Sequence, residues 1–96
     1  MLLKDRVAFL TGAGAGIGRA GALALARNGA RVVVSDLDPA RAHAVADAIV
    51  ASGGQAEALG LDVTIDTDLE DAIIGTERRF GRLDILHSHA GIQIPG

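Results

Sequence analysis

The chain has 96 residues, a formal net charge of −3, no cysteine, and a hydrophobic content of 49% to which aromatic residues contribute only 2%. This length allows one domain, whose core has to be aliphatic. The mixed charges give no basic patch for nucleic acid or an anionic membrane surface, and the lack of cysteine excludes disulfides and thiolate metal sites. Because there is neither a signal-peptide pattern nor an apolar run of spanning length, we expect a soluble, cytoplasmic protein.

The first elements in chain order are a strand and a helix separated by a glycine-rich segment. An apolar run at residues 7–10 predicts the strand, and the segment TGAGAGIG follows it directly at residues 11–18. A helix is expected over about residues 16–28, because Asn28-Gly29 is typical of a helix end. Val32-Val33-Val34 then predicts a buried strand that ends at Ser35-Asp36.

A second helix is predicted by its start signal and by its apolar stripe. Asp38 is a typical cap, and Pro39 fits the first helical position. The core-facing side is expected to consist of residues at helical spacing, namely Ala42, Val45, Ala46 and Ile49. Ser52-Gly53-Gly54 ends this helix, and a third strand is expected at about residues 56–62.

The remaining residues predict one more helix and one more strand. The helix is expected to begin near Thr64 or Asp66, to end at Gly81, and to face the core with Leu69, Ala72, Ile73, Thr76 and Phe80. Residues 83–86 predict a fourth strand, and residues 90–96 a loop. This alternation is typical of the α/β class, here a Rossmann-like parallel sheet of about four strands with three helices. Such a unit is the first half of a doubly wound fold, and we expect residues 1–96 to form it as one domain.

The glycine-rich segment is placed to bind a phosphate. A strand, a glycine loop and a helix together present backbone N–H groups and the positive end of the helix to an anion. The P-loop pattern is excluded, because no Gly-Lys-Ser/Thr follows and Lys4 is the only lysine. The G-x-G-x-x-G pattern is out of register, since its last position would be Ile17 or Arg19. The pattern that fits is T-G-x-x-x-G-I-G, formed by Thr11, Gly12, Gly16, Ile17 and Gly18.

This pattern resembles the short-chain dehydrogenase/reductase family, and three further segments match in order. They are Asp36 at the end of the second strand, Asp62-Val63 at the end of the third, and L-D-I-L-x-x-x-A-G at residues 83–91. The resemblance implies that backbone amides around Gly16, Ile17 and Gly18 meet the pyrophosphate of a dinucleotide. It also implies that Asp62 and Val63 flank the adenine and that Ala90 and Gly91 lie along the adenosine half. The simpler alternative is that the glycines only allow a tight turn and close packing.

Asp36 favours NAD over NADP as the cofactor. It lies 18 residues beyond Gly18 at the end of a strand, close to the acidic position that binds the ribose in dinucleotide folds. A carboxylate there accepts hydrogen bonds from the ribose hydroxyls and repels a 2′-phosphate, and the glycine loop has no lysine to compensate. The alternative is that Asp36 only caps the turn before Pro39.

Two features depart from the family pattern. The family's Asn-Asn before Ala-Gly is here Ser88-His89, and serine and histidine can make only some of the hydrogen bonds that a pair of amide side chains makes to the cofactor site and the neighbouring backbone. His87 and His89 are expected on one side of that strand, but His43 is on a distant helix and we expect no metal site. The family's catalytic tyrosine, lysine and serine lie beyond position 96 and the chain has no tyrosine, so we expect no catalytic residue here.

Three hypotheses for the function follow. The first is the NAD-binding portion of an oxidoreductase of this family, which transfers hydride between a nicotinamide cofactor and a small alcohol or ketone in the full-length parent. The second is a non-catalytic nucleotide-binding or assembly fragment, forming a homo-oligomer or a fragment complex through an exposed fourth strand. The third is an S-adenosylmethionine-dependent methyltransferase, which also has a glycine loop and an acid. Thr11, Gly16-Ile17-Gly18 and Ala90-Gly91 favour the dehydrogenase over it.

Overall fold

The computed structural model describes residues 2–88 and 91–93, and it contains one five-stranded sheet with strand order β3-β2-β1-β4-β5. The strands are β1 (Val7–Leu10), β2 (Arg31–Asp36), β3 (Gln55–Gly60), β4 (Ile85–Ser88) and β5 (Gly91–Gln93). The first four are parallel, while β5 pairs with β4 in the antiparallel sense. The predicted α/β class with a four-stranded parallel sheet is confirmed. A cofactor site is expected where the strand order reverses, between β1 and β4.

Three helices connect the parallel strands: α1 (Gly16–Arg27), α2 (Pro39–Ala51) and α3 (Asp66–Phe80). The predicted start of α2 is confirmed, because the Asp38 side chain accepts a hydrogen bond from the Ala40 N–H at 2.9 Å and Pro39 is the first helical residue. Gly81 ends α3 in the left-handed conformation at φ 77°, as a helix-ending glycine does.

The core lies on both faces of the sheet, and β1 contributes alternate residues to each. Ala8 and Leu10 pack with α1 and α2, whereas Val7 and Phe9 pack with α3. The predicted stripe of α2 is buried, and the predicted stripe of α3 packs against the other face or is buried. These two layers hold β1 in the centre of the molecule, so the loop that follows β1 starts from a fixed point.

The start of α3 and the bounds of the fourth strand can be compared with the structure residue by residue. The expected cap of α3 near Thr64 or Asp66 agrees with the structure, in which Ile65 is the N-cap and Asp66 is the first helical residue; Ile65 makes no side-chain cap hydrogen bond, and the Thr64 hydroxyl donates to Asp62. The fourth strand is Ile85–Ser88 rather than residues 83–86, and Leu83 is a buried core residue just before it.

The end of the chain also differs from the expected loop and exposed edge. Residues 91–93 form β5, and their backbone pairs with Leu86, His87 and Ser88 of β4. Within the described residues the fourth strand is therefore hydrogen-bonded on both sides, to β1 and to β5. The predicted assembly through an unpaired fourth strand loses its structural basis. Among the helices of the described ranges, none has the length and apolar character needed to cross a bilayer.

Candidate functional site

The glycine loop is anchored to the strands on both sides of β1. The Thr11 N–H donates to the His87 carbonyl of β4 at 2.9 Å, and the Ala13 N–H donates to the Ser35 carbonyl of β2 at the same distance. The buried Ser35 hydroxyl in turn donates to the Leu10 carbonyl at 2.7 Å. Because the loop is tied at its first residues, the N-terminus of α1 is held at the carboxyl edge of the sheet.

Gly18 is required by the close approach of the loop to the first turn of α1. A Cβ at this position would collide with the Gly12 carbonyl oxygen and would lie 3.0 Å from the Ala13 Cα. Both contacts are backbone atoms, which cannot rotate away. Gly12 and Gly16 have φ values of 60° and 59°, in the left-handed region. Glycine at these three positions is therefore explained by backbone geometry: a left-handed conformation at Gly12 and Gly16, and a close backbone contact at Gly18.

The N-terminus of α1 is open to a ligand. No atom lies within 4 Å of a Cβ built on Gly16, and the Ile17 side chain beside it is 84% exposed. Ala15, the N-cap, offers no side-chain cap hydrogen bond, and the first turn contains no acidic residue. The N–H groups of this turn and the positive end of the helix can therefore interact with an anion.

A shallow groove of about 240 Å³ lies over this helix end. Its lining residues come from the glycine loop and from β4: Thr11, Gly12, Ile17, Gly18, His87 and Ser88. A larger groove of about 450 Å³ lies elsewhere, against the C-terminal ends of α1 and α2, and none of the predicted site residues lines it. The smaller groove, and not the larger one, adjoins the glycine loop and the N-terminus of α1.

Asp36 lies at the end of β2 and contacts the glycine loop directly. Its Oδ2 accepts the Gly14 N–H at 2.9 Å, and its Oδ1 accepts the Asp38 N–H at the same distance. A Cβ on Gly14 would lie 2.8 Å from that Oδ2 and 2.6 Å from the Arg41 Cβ, so Gly14 has to lack a side chain. Gly14 is not among the site residues predicted from the sequence. Its importance depends on a contact across 22 residues that the loop pattern does not show.

Asp62 and Val63 follow β3 at the same edge of the sheet. The Leu61 N–H donates to the Asp36 carbonyl at 2.9 Å, which brings this segment next to the end of β2. Asp62 Oδ1 accepts the Thr64 hydroxyl at 2.6 Å and the Thr64 N–H at 2.9 Å, and these bonds lower the pKa of the Asp62 carboxyl. Val63 packs toward α3. Asp62 is therefore a half-buried carboxylate that stays ionised at neutral pH.

The remaining predicted residues lie at the end of β4. Ala90 and His89 are outside the described residues, while Gly91 is in β5 opposite Ser88. The described part of the chain holds no group of three or more histidine, cysteine, aspartate or glutamate side chains placed to bind a metal ion. The loop, Asp36 and the Asp62 turn are thus brought to one edge of the sheet.

Taken together, a parallel α/β sheet, a glycine loop before an open helix end and an acid at the end of β2 define a dinucleotide-binding unit. A family profile for short chain dehydrogenases matches residues 6–96, and the chain belongs to this family. The members of this family bind a nicotinamide cofactor, and the chain corresponds to their amino-terminal, NAD(P)-binding part.

The relatives include a curated enzyme and two solved structures. Cyclohexanol dehydrogenase of Acinetobacter sp. is 42% identical over 89 residues, which are 93% of this chain and 36% of that protein. A short chain dehydrogenase from Mycobacterium avium is 40% identical with a TM-score of 0.86, over 95% of this chain and 35% of that one. A 7α-hydroxysteroid dehydrogenase solved with NADH and 7-oxo glycochenodeoxycholic acid is 42% identical with a TM-score of 0.83, over 88% of this chain and 33% of that one. The chain spans about a third of the length of the curated relatives it matches.

Proposed function

We propose that residues 1–96 form the cofactor-binding domain of an oxidoreductase that acts on a small alcohol or ketone, and that this domain prefers NAD over NADP. The N–H groups near Gly16, Ile17 and Gly18 bind the pyrophosphate. Asp62 and Val63 flank the adenine, and Ala90 and Gly91 lie along the adenosine. When bound, the nicotinamide supplies or accepts the hydride. The residues of this chain bind and orient the cofactor, and none of them is proposed as catalytic.

The observation that carries the preference for NAD is the contact between Asp36 and the glycine loop. Because Asp36 Oδ2 accepts the Gly14 N–H, the carboxylate is fixed beside the loop that holds the phosphates. An oxygen of a carboxylate can accept more than one hydrogen bond, so both oxygens keep capacity for ribose hydroxyls. The same negative charge opposes the 2′-phosphate of NADP.

Arg41, which lies near the glycine loop, does not form an ion pair with Asp36. Arg41 is on the first turn of α2 next to Gly14, but its Nε lies 3.7 Å from Asp38 Oδ2. Its guanidinium is therefore drawn toward Asp38, and no ion pair to Asp36 is found within residues 2–88. A 2′-phosphate at this position would meet the Asp36 carboxylate first.

The test is a titration of NADH and NADPH into the purified chain and into Asp36→Asn, read by nucleotide fluorescence. Charge-assisted hydrogen bonds are worth about 1.5–3 kcal/mol, so we expect Asp36→Asn to weaken NADH binding about tenfold or more and to remove the preference over NADPH. The chain contains no tryptophan or tyrosine, which keeps the protein background low.

Asp38→Asn is the matched control, because it removes one negative charge two residues away while asparagine still caps α2. We expect this variant to keep the preference for NADH. An equal loss of preference in both variants would show that net charge, rather than the position of Asp36, sets the selectivity. Equal affinity of the unchanged protein for NADH and NADPH would contradict the proposed preference.

A further inference from the structure

The side chain of His87 belongs to the face of the sheet that carries the glycine loop and α1. Its neighbour Leu86 packs against the core cluster on the α3 side, while Ile85 packs against the cluster under α1 and α2. Alternate residues of a strand share a face, so His87 lies on the same side as Ile85. Its pairing partner Leu10 is a member of that same cluster.

This position makes His87 part of the groove over the helix end. It lines the groove together with Thr11, Gly12, Ile17 and Gly18, and it is half-buried there. Its own carbonyl accepts the Thr11 N–H at 2.9 Å, and the Thr11 hydroxyl lies 3.5 Å from the same oxygen. The histidine is thereby held next to the first residue of the glycine loop.

The other groups that line this groove are uncharged. Among the six lining residues that the structure describes, His87 is the single ionisable one. A phosphate in this groove can therefore interact with backbone N–H groups, with the N-terminus of α1 and with one imidazole, and no lysine or arginine lines the groove.

Among the described residues, the elements around β4 add no second group that titrates near neutral pH. β1 and β5 contain no ionisable side chain in their sequences. α1 carries Arg19 in its first turn and Arg27 in its last, and arginine keeps its charge throughout this range. The acidic residues of α3 are on the helix that covers the opposite face. Histidine is the side chain that ordinarily changes charge between about pH 5 and pH 8.

We propose that the His87 imidazole lies against the pyrophosphate of the cofactor and, when protonated, forms a charge-assisted interaction with it. This rests on the proposed function, because it takes the pyrophosphate to occupy the groove at the end of β1. Cofactor binding by this domain is then tighter at mildly acidic pH than at mildly alkaline pH. His87 is a cofactor-binding residue rather than a metal ligand or a group that only fills the strand.

The experiment measures the dissociation constant of NADH at about pH 6 and at about pH 8 for the unchanged chain and for His87→Gln, at constant low ionic strength. Glutamine keeps a polar side chain of similar length but is never protonated. We expect binding by the unchanged chain to be about two- to fivefold tighter at the lower pH, the range of a solvent-exposed ion pair. We expect His87→Gln to bind NADH equally at both values.

Two further variants serve as controls. His43→Gln removes an exposed histidine on α2, and His89→Gln removes the histidine that lies outside the described residues. Both should keep the tighter binding at the lower pH. The proposal is overturned if NADH binding is the same at both pH values in the unchanged chain, if the pH response survives in His87→Gln, or if either control variant abolishes it. Absence of NADH binding at every pH would contradict the proposed function itself, and the role of His87 with it.

Discussion

Two aspartates accept backbone hydrogen bonds, one from the start of β1 and one from the loop that follows it, and they differ in their other partners. At the amino end, Asp84 Oδ2 accepts the Val7 N–H at 2.8 Å. At the carboxyl end, Asp36 Oδ2 accepts the Gly14 N–H at 2.9 Å. Asp84 is also bound by two arginines: Arg82 donates to both of its oxygens at 2.8 Å, and Arg6 lies 3.4 Å from Oδ1.

The charged partners of a carboxylate distinguish one that stabilises the fold from one that can bind a ligand. The hydrogen bonds from Arg82, with those from Val7 and Arg6, lower the pKa of the Asp84 carboxyl to about 2, although its burial acts to raise that pKa. Its charge is compensated within the protein. Asp36 receives hydrogen bonds only from backbone N–H groups among the described residues, and no arginine or lysine of residues 2–88 forms an ion pair with it. Its charge is therefore not compensated by a described cation, as the proposed preference for NAD requires.

The largest effect is expected from Gly18→Ala, which alters the loop at the carboxyl end of β1. The added methyl group would collide with the Gly12 carbonyl and press on Ala13, so the loop has to shift. Overpacking of this kind typically costs about 1–3 kcal/mol. We expect a loss of this size in the free energy of unfolding, measured by circular dichroism in urea, and NADH binding weakened by more than about tenfold.

Gly75→Ala is the control for this variant. Gly75 lies within α3, and nothing is found within 4 Å of a Cβ built there. Alanine is the better helix former by about 0.8–1 kcal/mol, so this variant should be as stable as the unchanged chain or more stable. NADH binding of Gly18→Ala at the level of Gly75→Ala would refute the importance of the close loop contact.

A smaller effect is expected from Asp84→Asn at the other end of β1. The depressed pKa means that the charged Asp84 stabilises the fold above the ordinary aspartate pKa of about 3.9, and that this contribution is lost as the pH falls from about 4 to about 2. We expect the variant to be less stable by about 1–2 kcal/mol at neutral pH, since Arg6 and Arg82 are about half exposed and solvent screens the pairs.

The stability difference between Asp84→Asn and the unchanged chain should shrink as the pH is lowered toward 2, which urea unfolding at several pH values would measure. Its NADH affinity at neutral pH should stay within about twofold of the original, because the site lies at the opposite end of β1. A change in the preference between NADH and NADPH in this variant would remove the distinction between the two aspartates.

The smallest effect is expected from Asp62→Ala, in the turn after β3. Asp62 is half-buried and its carboxylate already accepts two hydrogen bonds from Thr64, so the proposed contribution to the adenine is one further hydrogen bond at most. Because Thr64 and solvent already compete for this carboxylate, the further bond is expected to be worth less than a full charge-assisted bond, about 0.5–1.5 kcal/mol, which predicts NADH binding weakened about two- to tenfold. Asp68→Ala, an exposed carboxylate on α3, is the control and should bind NADH normally.

Much of the fold could be predicted because its signals are local. The cap at Asp38, the stripe of α2 and the glycine that ends α3 each depend on residues within a few positions of one another. The glycine pattern likewise marked Gly12, Gly16 and Gly18 before their backbone geometry was known. Such features follow from periodicity and from the conformational freedom of glycine.

The features that could not be predicted from the sequence depend on contacts between residues that are far apart along the chain. The bond from the Gly14 N–H to Asp36 joins residues 22 positions apart, and the position of His87 beside Thr11 needs β4 to lie next to β1. Neither can be read from spacing along the chain. The strand β5 was missed because its three residues are too short to carry an alternating pattern.

The most direct test of the central claim is a two-dimensional ¹H–¹⁵N spectrum of the labelled chain during titration with NADH. The account predicts that amide signals of the glycine loop, of Asp36 and of His87 shift together and saturate, while those of Arg82 and Asp84 at the other end of β1 stay in place. Shifts centred on the Arg82–Asp84 end, or on the larger groove between α1 and α2, would contradict the assignment of the cofactor to the carboxyl edge of the sheet.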